Sequence, residues 1–186
     1  MSVQDNVIPE DVHDIKSTPK LMAFESITDE FIEELIGCRK MVINPKTRDV
    51  NKSGHKQVNY IVKALDDSGH KFELFTRQNL AEGMEDDFSC GLRWFASNGE
   101  SLILCRYNGS SHPHRNKIEN QALGLICHIH RATERYITAN QKPDGFAYET
   151  DNYQSLQEAV LCLVRDCHID GFLTDTVETN QIDLFT

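Results

Sequence analysis

The sequence predicts a mixed α+β domain in which a helix precedes a curved antiparallel sheet of five or six strands and a second helix follows the sheet. Two observations predict this order. Apolar residues recur at helical spacing near both ends of the chain, and the middle of the chain alternates apolar and polar residues at strand spacing. The chain has 186 residues, which is enough for one well-buried core, so a single domain is expected.

The ends of the chain differ in composition from its middle. Residues 1–24 are acidic and show no apolar period, which is typical of a mobile segment. The globular domain is therefore predicted over residues 25–170, and residues 171–186 are expected to form an acidic tail. No apolar run approaches the roughly 20 residues that cross a bilayer, and the N-terminus has no signal-peptide pattern. A cytoplasmic protein without membrane contact is expected.

Both helices are predicted from their capping residues and apolar faces. The first has Ser26 as its N-cap and ends at Gly37. The last starts at Ser155, where Glu158 completes a capping box. The apolar faces consist of Ile27, Phe31, Ile32, Leu35 and Ile36 in the first helix, and of Leu156, Ala159, Val160, Leu163, Val164 and Cys167 in the last.

The strands of the sheet are predicted from alternation and from the turns that join them. The predicted strands are Met41–Asn44, Val58–Leu65, Lys71–Arg77, Phe88–Ala96, Leu102–Tyr107 and Leu123–His130. The segment Asp-Asp-Ser-Gly at 66–69 and the dipeptide Asn-Gly at 98–99 have the chemistry of hairpin turns. Residues 108–121 are expected to form a polar loop, and Lys-Pro-Asp-Gly at 142–145 predicts a chain reversal.

The charge of the chain is unevenly distributed. The net charge is −10, but residues 38–80 contain nine Lys or Arg against four Asp or Glu, and residues 105–142 contain six against two. A basic surface built from these two segments would attract a polyanion despite the acidic total.

Four of the eight histidines lie between Arg106 and Tyr136, in two His-x-His pairs. In an extended strand, His128 and His130 point to the same side with their Cα atoms about 6.6 Å apart. Pro113 favours an extended backbone between the other two, His112 and His114. Imidazoles titrate near neutral pH and guanidinium groups neutralise phosphate, so this set suits acid–base chemistry on a phosphodiester.

These residues predict a metal-independent endoribonuclease that needs no cofactor. In such a reaction the ribose 2′-hydroxyl attacks the adjacent phosphorus, one imidazole takes its proton and another protonates the leaving oxygen, which restricts the substrate to RNA. The predicted catalytic residues are His128 and His130 as the acid–base pair, with Arg106, Arg131 and Tyr136. The predicted substrate-binding residues are Asn108, His112, His114, Arg115, Thr133 and Arg135.

Other interpretations of the same residues remain open. The histidines can be metal ligands of a hydrolase, although the neighbouring arginines would repel a cation. The chain can also be a non-catalytic protein that binds a partner or a nucleic acid. A strand that runs unbroken to Ile137 would turn Arg131, Thr133 and Arg135 away from the histidines, whereas a bulge or a helix starting near Arg131 would change their directions.

The pattern R-Y-N-G-x-x-H-x-H, followed by H-x-H-x-x-T-x-R-Y, resembles motifs of bacterial toxin–antitoxin proteins and is similar to TumE-type toxins. The resemblance covers Leu102–Tyr136. It implies a fold and activity like those of RelE-like endoribonucleases, in which a helix precedes a curved antiparallel sheet carrying histidine, arginine and tyrosine. It also implies an RNA substrate and an antitoxin partner. The acidic ends of this chain depart from the usual basic character of such toxins.

Overall fold

The computed structural model describes residues 27–44, 50–52 and 54–172. The predicted mobile segment 1–24, the proposed cap Ser26 and the tail from residue 173 onward lie outside the described residues. The helices are α1 (Asp29–Gly37), α2 (Glu134–Thr138) and α3 (Leu156–Asp166), with a short 3-10 helix at Pro143–Gly145. Within the described part of the chain, no helix has the length and apolar character needed to cross a membrane.

One large sheet dominates the fold. The strands are β1 (Lys40–Val42), β2 (Val50–Lys52), β3 (His55–Ala64), β4 (Lys71–Asn79), β5 (Phe88–Phe95), β6 (Ser101–Asn108), β7 (His114–Asn116), β8 (Gln121–Leu123), β9 (His128–Arg131), β10 (Phe146–Glu149) and β11 (Ile169–Asp170). Eight of them follow the order β10-β9-β6-β5-β4-β3-β1-β11, and β2 pairs with β3 off this path. Neighbouring strands are antiparallel except β1 and β11, which are parallel.

The mixed α/β class is confirmed, but the predicted count of five or six strands is wrong. The main sheet has nine strands, and β7 and β8 form a separate two-stranded sheet. The missed strands β2, β7, β8, β10 and β11 have two to four residues each, too few to show an alternating pattern. Tertiary pairing, rather than local sequence, defines them.

The predicted strand Leu123–His130 is also wrong in its extent. The chain leaves β8 at Leu123 and enters β9 only at His128, because the two segments pair with different partners. β8 pairs with β7, whereas β9 lies between β6 and β10. The alternation of the sequence across 123–130 therefore describes two short strands and the turn between them.

The hairpins and the last helix follow the sequence closely. β3 and β4 pair on either side of residues 66–69, and β5 and β6 pair on either side of residues 98–99. Ser155 and Glu158 form the predicted capping box of α3. The N-cap of α1 is Thr28, whose hydroxyl accepts a hydrogen bond from the amide of Phe31 at 3.3 Å.

The two long helices pack on one face of the sheet and form the core. Its buried side chains include Ile32, Leu35, Val62, Phe72, Leu74, Leu92, Leu104, Tyr107, Ala159 and Leu163. Cys105, Tyr107 and Ile129 face the core. Because side chains alternate along each strand, the neighbouring residues of β6 and β9 point to the opposite side of the sheet. We call that side the open face, and it carries Arg106, Asn108, His128 and His130.

Lys40 is buried in the core and ties the ends of α1 and α3 together. Its ammonium donates hydrogen bonds to the carbonyl groups of Ile36, Cys38 and Cys167 at 2.8, 2.7 and 3.0 Å. Burial lowers the pKa of Lys40 from its ordinary value. The three carbonyls lie at or beside the C-terminal ends of the helices, where a positive charge is stabilised by the helix dipoles.

Candidate active site: a histidine cluster on the open face

The four histidines of the two His-x-His pairs meet in space. We call His112, His114, His128 and His130 the histidine cluster. The ring centroids of His128 and His130 are 5.0 Å apart, and those of His114 and His130 are 4.5 Å apart. His112 and His114 both contact the ring of His128, at 5.8 and 5.7 Å. The two His-x-His pairs, which are distant in sequence, therefore converge on one site.

Asn108 lies at the centre of the cluster. Its amide nitrogen Nδ2 is 3.5 Å from the Nε2 atoms of His112, His128 and His130. Its amide oxygen accepts a hydrogen bond from Nη1 of Arg106 at 3.4 Å. The contact with the guanidinium group fixes the orientation of the amide, so its two N–H groups face the Nε2 atoms of His128 and His130.

His128 and His130, the inner pair, are buried and anchored by backbone carbonyls. The Nδ1–H of His128 donates to the carbonyl of Ile126 at 2.8 Å, and the Nδ1–H of His130 donates to that of Asp144 at 2.9 Å. Nε2 of each ring therefore carries a lone pair in the neutral state. Burial lowers the pKa of His128, and burial together with the Arg106 charge lowers the pKa of His130 to about 2. The inner pair is neutral at physiological pH.

His114, the half-buried member of the outer pair, has its tautomer set by two acceptors. Its Nε2–H donates to the side-chain oxygen of Asn116 at 3.1 Å and to the carbonyl of Gly145 at 3.0 Å. Asn116 cannot turn over, because its oxygen accepts from the amide of Ala147 and its nitrogen donates to the Ala147 carbonyl, both at 2.8 Å. Nδ1 of neutral His114 therefore carries a lone pair.

His112, the exposed member of the outer pair, is linked to a carboxylate. Its Nδ1 is 3.0 Å from the hydroxyl oxygen of Ser111, and that hydroxyl donates to Asp87 at 3.3 Å. The pKa of Asp87 is lowered, chiefly by a hydrogen bond from Asn79, so Asp87 carries a negative charge. Because the single hydroxyl hydrogen of Ser111 goes to Asp87, the hydroxyl oxygen accepts from the Nδ1–H of His112.

Arg106 supplies positive charge beside the cluster. Its Nε donates to the buried carboxylate of Asp144 at 3.1 Å, and Lys142 reaches the same oxygen at 3.2 Å. The side chain of Arg106 is 20% exposed, so solvent and ligands can reach it. Two cations thus share one carboxylate, which leaves a net positive charge at the edge of the histidine cluster.

The structure places the other predicted site residues elsewhere. Arg131 lies on the core side of β9 and pairs with Glu33 of α1 at 2.6 Å, because the alternation of a strand turns it away from His130. Arg115 donates to Asn120. Thr133 is the N-cap of α2, where its hydroxyl accepts from the amide of Tyr136.

Arg135 and Tyr136 lie in helix α2 and not in an extended strand. Arg135 pairs with Glu119 at 2.6 Å, and the hydroxyl of Tyr136 donates to the same carboxylate at 2.6 Å. The ring of Tyr136 packs on Gly145 and is 1% exposed. These residues hold the 117–121 segment and the 143–145 turn in place, so they support the cluster from outside.

Several residues of the site are absent from the sequence-based predictions. Asn116, Ser111 and Asp144 contact the histidines or Arg106 through hydrogen bonds that no spacing rule indicates. Gly109 is required by a close approach, since a Cβ there would overlap the carbonyl oxygen of Asp86 and lie 2.9 Å from the ring of Phe88. The R-Y-N-G motif contained this signal, because glycine at a strand exit often marks such an approach.

The cluster also bears on the metal-site interpretation. Three Nε2 atoms face one point, but that point is occupied by the amide of Asn108. Across residues 27–44, 50–52 and 54–172, no three His, Cys, Asp or Glu side chains are grouped so that they could hold a metal ion.

Comparisons with protein-family models, with curated proteins and with solved structures give no match for this chain. The fold and the site define a mixed α/β protein with a cluster of four histidines beside an arginine. Two of the histidines are buried, and the other two are accessible to solvent.

Proposed function

We propose that this protein is an endoribonuclease that cleaves RNA through attack of the ribose 2′-hydroxyl. The observation that carries the proposal is the convergence of four imidazoles and Arg106 on Asn108, with the tautomers of three rings set by hydrogen bonds. Neutral and protonatable imidazoles beside a guanidinium group are the components of acid–base catalysis at phosphorus.

We infer the roles of the four imidazole rings from their burial. A phosphodiester that arrives from solvent meets His112 and His114 first, since His128 and His130 are 0% and 3% exposed. An inner ring whose pKa is lowered is a poor proton donor at neutral pH. We therefore assign proton transfer to the outer pair, in place of the His128 and His130 pair that the sequence favours.

The two outer rings differ in their hydrogen-bond partners, and we assign the base and the acid from this difference. His114 has a free lone pair on Nδ1 because both of its acceptors hold the proton on Nε2, and it acts as the base. His112 is connected through Ser111 to the Asp87 carboxylate and is the exposed ring of the pair, and it acts as the acid.

The reaction then balances without a further reactant. Nδ1 of His114 takes the proton of the 2′-hydroxyl as its oxygen bonds to phosphorus. Nε2 of His112 gives a proton to the 5′-oxygen as the bond from phosphorus to that oxygen breaks, while Arg106 stabilises the charge on the phosphate oxygens. The products are a 2′,3′-cyclic phosphate and a 5′-hydroxyl end.

The inner pair and Asn108 act as positioning residues in this proposal. His128 supports both outer rings by direct contact, and Asn108 joins the imidazoles to Arg106. Toxin-type action in the cytoplasm, restrained by an antitoxin partner, belongs to the same proposal and follows from the sequence resemblance.

The test is incubation of the purified chain with a short labelled RNA of mixed sequence, beside the same RNA with 2′-O-methyl groups and the matching DNA. We expect cleavage of the unmodified RNA alone, with cyclic phosphate ends. His112→Ala and His114→Ala should each lower the rate by about 100-fold or more. His168→Asn, at an exposed position with a positive φ that asparagine tolerates, is the control. A folded wild-type protein that leaves RNA intact would overturn the proposal.

Metal-dependent hydrolysis is the second candidate, and it requires Asn108 to move away from the Nε2 atoms of His112, His128 and His130 that it now contacts. It predicts stoichiometric zinc, iron or manganese in the purified protein and loss of activity with a chelator. It also predicts cleavage of DNA or 2′-O-methyl RNA, because a metal-bound hydroxide needs no ribose hydroxyl. Metal-free protein that cleaves only unmodified RNA excludes it. A chain that binds RNA without cutting it would be the non-catalytic binding protein.

A further inference from the structure

A strip of side chains runs across the open face from the histidine cluster toward β3. The register aligns His130 with Arg106, Arg106 with Gly91, and Gly91 with Phe75 across β9, β6, β5 and β4. A neighbouring row aligns Asn108, Ser89 and Arg77. We call Phe75, Arg77, Gly91 and Arg93 the aromatic strip.

The ring of Phe75 lies over Gly91. A Cβ on Gly91 would lie 2.5 Å from Cζ and 2.9 Å from Cε1 of Phe75, so only glycine leaves room for the ring at this point. Phe75 is apolar, yet it is half-buried on the face opposite to the core. An aromatic ring held by a glycine on a partly exposed sheet face presents a flat surface for stacking.

Positive charge surrounds this ring. The guanidinium carbon of Arg93 is 5.5 Å from the ring centroid, and its Nη1 pairs with Glu73 at 2.9 Å. Arg77 is exposed in the next alternating position of β4, and Arg106 follows Gly91 across the sheet. The cations here outnumber the carboxylates: they are Arg77, Arg93, Arg106 and Lys142, against Glu73, Asp87 and Asp144. The net charge of this part of the open face is therefore positive, opposite to that of the whole chain.

We propose that the aromatic strip binds single-stranded RNA, with one base stacked on Phe75 while the adjoining phosphate lies at Arg106. The inference rests on the proposed function and names how that site holds its substrate. Phe75 lies two strand spacings, about 10 Å, from the strand that carries Arg106. The strip is thus continuous with the reacting groups, and its charge and ring match a single strand with unpaired bases.

Binding is measured by fluorescence anisotropy with 2′-O-methyl RNA, which the proposed reaction cannot cleave. Phe75→Leu, which keeps an apolar side chain but removes the ring, should weaken binding about tenfold. Phe75→Tyr should retain the affinity. Phe95→Leu, the same change on a ring farther along β5, is the matched control, and a thermal melt verifies that each variant folds.

A salt series gives a second readout. Arg77→Gln should reduce the slope of log affinity against log salt by about 0.7, the share of one phosphate contact with a single strand. Equal loss of affinity with Phe75→Leu and Phe95→Leu, or equal binding of duplex and single-stranded RNA, would overturn the inference. Phe75-dependent binding without cleavage of unmodified RNA supports the strip and rejects the endoribonuclease. Cleavage of unmodified RNA by the wild type, together with unchanged binding in Phe75→Leu, supports the endoribonuclease and rejects the strip.

Discussion

The side-chain amide of Asn116 makes two hydrogen bonds with the backbone of Ala147, as a residue of a neighbouring β-strand would. Its oxygen accepts from the Ala147 amide and its nitrogen donates to the Ala147 carbonyl, both at 2.8 Å. The same oxygen accepts from Nε2 of His114. One buried amide therefore satisfies part of the edge of β10 and sets the tautomer of the proposed base.

Replacement of Asn116 by Leu should destabilise the fold and impair cleavage together. The change leaves the amide and carbonyl of Ala147 buried without partners, and each such group costs about 1–3 kcal/mol. Urea denaturation measures the loss of free energy of unfolding, for which we expect about 2 kcal/mol or more. Gln157→Leu, at an exposed position of α3, is the control and should change the stability by less than about 0.5 kcal/mol.

Ser111→Ala should lower the rate of RNA cleavage about tenfold, because it interrupts the connection between Asp87 and the proposed acid His112. The hydroxyl of the neighbouring residue Ser110 donates to Asp86 at 3.4 Å and is not part of that connection. Ser110→Ala is therefore a matched control, and both variants should melt at the wild-type temperature. A rate that is unaffected by Ser111→Ala would show that the acid does not depend on Asp87.

Gly109→Ala should displace the segment that carries His112. The added methyl group overlaps the backbone at Asp86, and overpacking of this kind costs about 1–3 kcal/mol. Gly124→Ala provides the comparison, since no atom lies within 4 Å of a Cβ at that position. Thermal melts should separate the two variants clearly, and equal melting temperatures would contradict the close approach at Gly109.

The stability should fall as the pH drops below about 6.5. In the unfolded chain His130 titrates near its ordinary pKa of 6.5, whereas burial and Arg106 hold its folded-state pKa at about 2. The unfolded state therefore binds the proton first, and acid favours unfolding by up to about 1.4 kcal/mol per pH unit for each such histidine. His128, whose pKa is also lowered, adds to this slope.

Denaturation at several pH values from about 7 to about 5.5 measures the slope, above the range in which most carboxylates protonate. His130→Asn keeps a donor for the carbonyl of Asp144 but cannot take up a proton, so its slope should be shallower than that of the wild type. His168→Asn, at an exposed position, should leave the slope unchanged. Identical slopes in all three proteins would mean that His130 is not held neutral by the fold.

Lys40→Met should be strongly destabilising, by about 3 kcal/mol, because three buried carbonyls lose the donor that they share. Lys63→Met, on an exposed position of β3, changes the same side chain where solvent surrounds it and should have little effect. The measurement is again the free energy of unfolding in urea. A small loss in Lys40→Met would show that the carbonyls find other donors.

The sequence predicted those parts of the fold that local chemistry defines. The capping box of Ser155 and Glu158 and the turns at 66–69 and 98–99 depend on residues that are close in the chain. Strand β11 depends on a distant partner, since Ile169 pairs with Lys40, and no local pattern indicates such a pairing. The alternation of apolar and polar residues alone therefore could not predict the nine-stranded sheet.

The site divides in the same way. The spacing of His128 and His130 correctly predicted that both rings point to one side of a strand. It did not predict that they are buried or that Asn116 fixes His114, because these facts depend on how the 109–123 segment folds over the sheet. Arg131 was predicted as a catalytic residue, but strand alternation places it against Glu33.

The ammonium of Lys40 has a consequence for the order in which the chain folds. Its carbonyl partners Ile36 and Cys167 are separated by most of the described chain, so the charge acquires its full set of acceptors only when α3 docks beside α1. In a nascent chain that has left the ribosome only as far as β10, the ammonium of Lys40 would lack the Cys167 carbonyl as a hydrogen-bond acceptor. We expect such a chain to stay open to proteases and to close only after α3 emerges, in one late and cooperative step.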